Sequence, residues 1–227
     1  MERPPDVSAK ADVSAKADVS AKADVSAKAR WRERALSSRR ALDARRRDAE
    51  NRALVDFVTG RWPGGGTVCA YVPLPSEPGS PALLAALRAG GSRVLVPVTG
   101  DPGPLSWAEY TGPDSLVAGQ YGIPRPTGPV LAPDEIRSAE VVLVPALGVD
   151  RRGVRLGRGA GFYDRTLPIA SAGTRLIAVV RDEELVEALP EEAHDVRMHE
   201  ALTPARGFVT LGGAGTGTRR GDAREQE

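Results

Sequence analysis

From Val141 to Val149 the chain reads Val-Val-Leu-Val-Pro-Ala-Leu-Gly-Val, with no charged side chain and no polar residue at alternate positions. A strand with one wet face alternates apolar and polar residues. A strand without that alternation is covered on both sides, as in a parallel sheet flanked by helices. Apolar runs of similar character recur at Thr67 to Leu74, Arg93 to Val98, Leu105 to Tyr110 and Arg175 to Val180. Helical stretches near Pro81 to Ala89 and Glu183 to Leu189 fall among them, and Ala201 to Leu211 is suited to closing the sheet. The pattern predicts a single α/β domain: a mostly parallel sheet, helices on both faces, and ligands gathered at the carboxyl ends of the strands.

Ahead of the first strand, Lys28 to about Thr59 is rich in Ala, Leu and Arg and predicts an N-terminal helix ended by Gly60, Pro63 and Gly64 to Gly66. Between Arg30 and Arg52, nine Arg stand against four acids, Glu33, Asp43, Asp48 and Glu50, which reads for most of them as a solvated basic face. Before the helix, Asp-Val-Ser-Ala-Lys-Ala occurs four times between Asp6 and Ala29. A valine every six residues is spread around a helix and forms no stripe, so residues 1–27 are expected to be disordered or weakly helical. The Gly-rich polar tail, residues 212–227, is expected to be mobile, leaving 28–211 as the folded domain.

Charge narrows the choice of partners. The 227 residues carry 31 Lys and Arg against 30 Asp and Glu, a formal charge of +1, so no global field draws the protein to nucleic acid or an anionic membrane. Anion binding has to be local. No run reaches membrane-spanning length and the first residues lack a secretory apolar core, so a cytoplasmic protein, acting as a monomer, is expected. Cys69 is the only cysteine and lies inside an apolar run, which makes it core filler and leaves neither an intramolecular disulfide nor a thiolate zinc site.

The chemistry concentrates after Asp150. A turn at Arg151-Arg152-Gly153 leads into Arg155-Leu-Gly-Arg-Gly-Ala-Gly-Phe-Tyr-Asp-Arg165. Alternate glycines let backbone amides approach an anion, and the interleaved arginines fit phosphate oxygens. Asp164 is placed to hold Mg²⁺ against those phosphates, since this ion takes one or two carboxylates together with phosphate oxygens and water. The segment is neither a Gly-Lys-Ser/Thr phosphate loop nor a G-x-G-x-x-G dinucleotide fingerprint, and a Gly-rich turn taken alone is more often only an irregular loop.

Val144-Pro-Ala-Leu-Gly-Val-Asp150, Gly153 and the run from Arg155 to Arg165 together resemble the signature of 5-formyltetrahydrofolate cyclo-ligases, also called methenyltetrahydrofolate synthetases. Further matches follow in order: Lys28 and Arg32 as Lys-x-x-x-Arg, Tyr71-Val-Pro-Leu-Pro-Ser-Glu77, Tyr121-Gly-Ile-Pro-Arg-Pro126, and Leu189-Pro-Glu-Glu-Ala-His-Asp195 before Leu202-Thr203-Pro204. The resemblance covers about residues 28 to 211. It implies that Lys28 and Arg32 reach ATP and that Arg155, Leu156, Gly157, Arg158, Gly159, Ala160, Gly161, Phe162 and Tyr163 surround it. It further implies that Val72, Glu77, Tyr121 and Phe162 meet the folate, and that Asp164 and Asp195 are associated with Mg²⁺. Read alone, Glu77 is equally an exposed turn residue, and Asp195 equally a capping carboxylate. Three positions depart from the family pattern: Phe162 for the first of two tyrosines, Val149 for a phenylalanine, and His199 for an aspartate. Phe162 keeps an aromatic surface and loses a hydroxyl.

The implied reaction closes a ring, turning 5-formyltetrahydrofolate and MgATP into 5,10-methenyltetrahydrofolate, ADP and phosphate through a phosphorylated imidate. The substrate supplies both nucleophiles, so no catalytic Ser, Cys or His is needed, and His194 is read as structural. Positioning and charge stabilisation by Arg158, Arg155 and Lys28 carry the catalysis. Two rival readings remain: an inactive folate- or nucleotide-binding relative, which Arg158, Asp164 and Glu77 argue against, and an RNA-binding module, weakened by the absence of aromatics among the arginines of residues 30–52.

Overall fold

The computed structural model describes residues 26–62, 64–98, 100, 102–119, 124–192 and 195–212. Tyr121 and His194 lie outside the described residues, as do the repeat and the tail apart from residues 26–29 and 212.

The single N-terminal helix expected from composition is two helices, α1 over residues 26–41 and α2 over Ala44–Arg61. Asp43 makes the break. Its backbone is extended and its carboxylate accepts from the Arg46 N–H at 2.8 Å, so it starts a new helix instead of continuing the old one. Gly60 does not stop α2, which ends one residue later with the Trp62 N–H donating to the Val58 carbonyl.

The remaining elements follow in chain order: β1 Thr67–Cys69, α3 Pro81–Ala89, β2 Arg93–Val98, β3 Ser106–Glu109, β4 Leu116–Val117, β5 Arg125–Pro126, β6 Val141–Pro145, β7 Gly148–Asp150, β8 Arg155–Leu156, α4 Phe162–Thr166, β9 Arg175–Val179, β10 Leu185–Val186, β11 Glu200–Thr203 and β12 Gly207–Thr210. Seven strands form the main sheet in the order β12-β11-β9-β6-β1-β2-β3. Its five inner strands are parallel and its two edges, β3 and β12, are antiparallel. The central strands send alternate residues to two cores. Val141, Leu143, Ile177 and Val179 pack with Leu54, Val58 and the apolar residues of α3 on one face. Val142, Val144, Leu176 and Ala178 pack with Ile136, Leu167 and the aromatic rings of α4 on the other. The mixed α/β sheet covered on both sides is the arrangement the unbroken apolar runs predict.

Three segments differ from the sequence reading. The first apolar run is a strand only to Cys69 and then an extended loop, because Pro73 and Pro75 have no N–H to give a ladder. The run from Val141 to Val149 splits into β6 and β7, and β7 joins β10 and β8 in a separate three-stranded sheet. Glu183 to Leu189 is not a helix. Asp182–Glu184 form a 3₁₀ turn and Leu185–Val186 pair in parallel with β7, a tertiary pairing that overrides local helical propensity.

Asp150, fully buried, fixes the turn that launches the glycine segment. Its Oδ1 accepts from the Arg152 and Val154 N–H groups at 2.9 Å each, and its Oδ2 from the Leu189 N–H at 3.0 Å and Arg152 Nη2 at 2.7 Å. Gly153 completes the turn at φ +90°, where a Cβ would stand 2.4 Å from the Met198 carbonyl oxygen. Asp150→Asn leaves these donors imperfectly paired, and urea unfolding should show a loss of about 2–4 kcal/mol. A change below about 0.5 kcal/mol would contradict this role.

Candidate active site

Two cavities adjoin at the carboxyl end of the sheet, and the glycine segment separates them. One, of about 220 Å³, is mostly apolar and is walled by Tyr71, Val72, Leu74, Pro97, Leu105 and Phe162, with Glu77, Arg39 and Arg158 among its polar residues. The other, of about 490 Å³, is polar and is lined by Lys28, Arg32, Arg155, Arg165, Asp164, Glu192 and Asp195. Arg155, Gly157, Gly159, Gly161 and Asp164 border both.

Of the residues singled out in the sequence, Val72, Glu77, Arg158, Ala160, Phe162 and Tyr163 stand on the apolar side. Lys28, Arg32, Leu156 and Asp195 stand on the polar side. Residues far apart in sequence therefore meet at one place, α1 contributing the first two and the segment before β11 the last. Phe162 receives Arg165 over its ring at 5.7 Å, consistent with an aromatic surface.

Lys28, Arg155 and Arg158 each hold an acid. Lys28 Nζ lies 3.0 Å from both Asp195 Oδ2 and Glu192 Oε2. Burial works against the Lys28 charge, but hydrogen bonds and attraction from Glu192 and Asp195 prevail and raise its pKa above the ordinary value. The stabilisation this gives is present below about pH 10.4 and fades as pH rises through the higher folded value, so the ammonium is fully charged at neutral pH. Arg32 Nε donates to the Gly157 carbonyl at 3.0 Å. Arg155 pairs with Asp164, and its guanidinium faces the Tyr163 ring at 5.9 Å. Arg158 Nε donates to Glu77 Oε1 at 3.0 Å, while Glu77 Oε2 accepts from the Leu74 N–H at 3.0 Å. Glu77 is therefore not an exposed turn residue: it is 8% exposed and held on both oxygens.

At the wall between the cavities, Arg155 Nε and the Tyr163 hydroxyl are buried with no hydrogen-bond partner among the described residues. Burial, reinforced by Glu77, pushes the Tyr163 hydroxyl pKa far above its ordinary value, so it remains a donor. A polar cavity rich in Lys and Arg suits a polyanion. The apolar one, with a single buried carboxylate, suits a flat ring bearing N–H groups.

Sequence reasoning missed Arg39, Arg181, Glu184 and Glu192. Arg39 had a signal: Lys28, Arg32, Ala35 and Arg39 are spaced four, three and four residues apart, one stripe of a helix. His199 serves the fold, its Nδ1 accepting from the Leu176 N–H at 3.0 Å. Cys69 is fully buried, and burial pushes its thiol pKa far up. A thiol reagent should therefore leave native protein unmodified while titrating Cys69 completely in urea; rapid reaction of the native protein would contradict that burial.

Residues 24–204 match the model of the 5-formyltetrahydrofolate cyclo-ligase family. A 5-formyltetrahydrofolate cyclo-ligase from Mycolicibacterium smegmatis is 53% identical over 170 residues, covering 73% of this chain and 87% of the relative. One from Escherichia coli is 31% identical over 143 residues, covering 62% of this chain and 79% of the relative. The fold is similar to that of 5,10-methenyltetrahydrofolate synthetase from Aquifex aeolicus, with a TM-score of 0.69 at 21% identity over 85% of this chain and 96% of that one. A similar enzyme from Mycoplasma pneumoniae gives 0.60 at 17% identity over 75% and 94%. With the family model spanning most of the sequence and the two-cavity geometry in agreement, the chain belongs to the 5-formyltetrahydrofolate cyclo-ligase family.

Proposed function

We propose that the chain catalyses the ATP-dependent cyclisation of 5-formyltetrahydrofolate to 5,10-methenyltetrahydrofolate, with the polar cavity taking ATP and the apolar cavity the pterin end of the folate. The carrying observation is that Arg155, Gly157, Gly159, Gly161 and Asp164 form one wall shared by both cavities, so two substrates can meet across it. The unpartnered Arg155 Nε in that wall and the unpartnered Tyr163 hydroxyl on its apolar side support the reading, since both are donors available to a ligand.

In the proposed reaction the formyl oxygen attacks the γ-phosphorus of ATP, the bond to the β,γ-bridging oxygen breaks and ADP leaves. N10 then adds to the activated carbon and loses its proton to solvent. The carbon–oxygen bond breaks, inorganic phosphate departs, and the methenyl carbon is left bonded to N5 and N10. Lys28, Arg32 and Arg155 hold the phosphates, and Arg158 reaches from the Glu77 side to the transferring group, offsetting charge as it spreads over the phosphoryl oxygens. Glu77 accepts from pterin N–H groups, Val72 packs against the ring, and Phe162 offers a stacking face.

Asp164 and Asp195, on the same polar cavity, fit an Mg²⁺ brought in with the nucleotide, because such an ion needs only one or two carboxylates beside phosphate oxygens and water. Bound there, it would neutralise phosphate charge.

The oxygen route gives a direct test. With substrate labelled by ¹⁸O in the formyl group, the label should appear in inorganic phosphate in step with methenyl product. Unlabelled phosphate formed alongside product would rule out phosphorylation of the formyl oxygen.

A further inference from the structure

Arg39 and Arg181 rank with Trp107 among the largest side chains the fold buries completely. Both converge on Glu184. Arg39 donates to the two oxygens of that carboxylate at 2.6 and 2.7 Å, while Arg181 brings its Nη1 to 3.9 Å from Oε1 and donates its backbone N–H to Oε2 at 2.9 Å. Their remaining donors go to two loops. Arg39 Nη2 reaches the Ala146 carbonyl at 2.5 Å, in the connection between β6 and β7. Arg181 Nη1 reaches the Ser76 carbonyl at 3.1 Å, one residue before Glu77. On the outer side, Glu50 Oε2 of α2 accepts from Arg181 Nε at 2.8 Å.

Stability alone does not account for three buried charges, Arg39, Arg181 and Glu184. An apolar set of the same volume serves a core as well or better, because desolvation offsets most of the attraction. What the network does supply is geometry. The two loops it grips flank the apolar cavity, Ala146 and Arg39 are themselves part of its wall, and the grip on Ser76 sets where the Glu77 carboxylate stands. Arg39 also sits on the helix that carries Lys28 and Arg32, so the same frame extends toward the polar cavity.

We infer that Arg39, Arg181 and Glu184 are positioning residues for the folate half of the site, one carboxylate fixing, through two arginines, the spacing between the Glu77 loop and the Ala146 loop. The inference rests on reading the apolar cavity as the folate site. None of the three acts on reacting atoms. They act through Glu77 and the cavity wall.

Lysine is the informative replacement, since it keeps the charge and loses the fork that holds a carboxylate and a carbonyl together. In Arg181→Lys and Arg39→Lys the KM for 5-formyltetrahydrofolate should rise at least about fivefold, while the KM for ATP stays within about twofold of wild type. Glu50→Gln, which loosens Arg181 from its outer side, should move the folate KM in the same direction by less, and it reads out the network should a lysine variant fail to fold. Calorimetric titration with 5-formyltetrahydrofolate in the absence of ATP should show the same ordering of affinities. That separates failure of this inference from failure of the cyclo-ligase reading, which a wild-type protein that binds the folate without forming product would reveal. Folded variants whose folate KM and affinity stay within about twofold of wild type, or in which both substrates weaken alike, would overturn the inference.

Discussion

Arg155→Ala is expected to lower turnover at least a hundredfold, about 2.7 kcal/mol of transition-state stabilisation, in a protein that still folds. Among the described residues, Arg155 is the one cation that borders both cavities. It is 8% exposed, paired with Asp164, stacked against Tyr163, and retains an unpartnered Nε. Alanine removes a charge from the phosphate side and leaves Asp164 without its guanidinium beside an anionic substrate. The two losses act in the same direction. Arg155→Lys should recover only part of the rate, because a point charge cannot hold Asp164 and a phosphate oxygen in one plane. Turnover numbers measured on variants whose circular dichroism matches wild type decide the matter, and a folded Arg155→Ala enzyme within about threefold of wild type would contradict the assignment.

The second large effect is at Arg158, where alanine should lower turnover at least tenfold, about 1.4 kcal/mol. Its guanidinium is tied to Glu77 Oε1 at 3.0 Å and lies 3.3 Å from Ser76 Oγ, so the arginine and the carboxylate, both on the apolar side, satisfy each other. Substrates must draw that pair apart. The effects of Arg158→Ala and Glu77→Gln should therefore fail to add in the double variant, a coupling that kinetics of all four proteins would measure. Near-normal turnover in purified Arg158→Ala would remove this arginine from the mechanism.

Much of this was legible in the sequence because it depends on local pattern. The unbroken apolar run from Val141 gave the covered sheet, and the spacing of glycines and arginines after Asp150 marked the wall between the cavities. Less was legible where tertiary partners decide. Asp182 to Val186 carries helical residues yet pairs with β7 because Glu184 is drawn into two buried arginines and Leu185 faces Val149 in the register. Arg39 sits among eight other arginines between Arg30 and Arg52, and composition cannot tell the buried one from the solvated ones. Glu192 escaped notice for a similar reason, since nothing in Leu189-Pro-Glu-Glu says which acid will turn toward Lys28.

The central claim is that two substrates react across the Arg155 to Asp164 wall. It is tested most directly by mixing the purified chain with MgATP and 5-formyltetrahydrofolate and following the near-ultraviolet absorbance of the methenyl product while ADP is counted in parallel. The account predicts a growing methenyl band with equimolar ADP, and no band when ATP is withheld. A well-folded protein that yields no band, or one that forms it as fast without ATP, would contradict it.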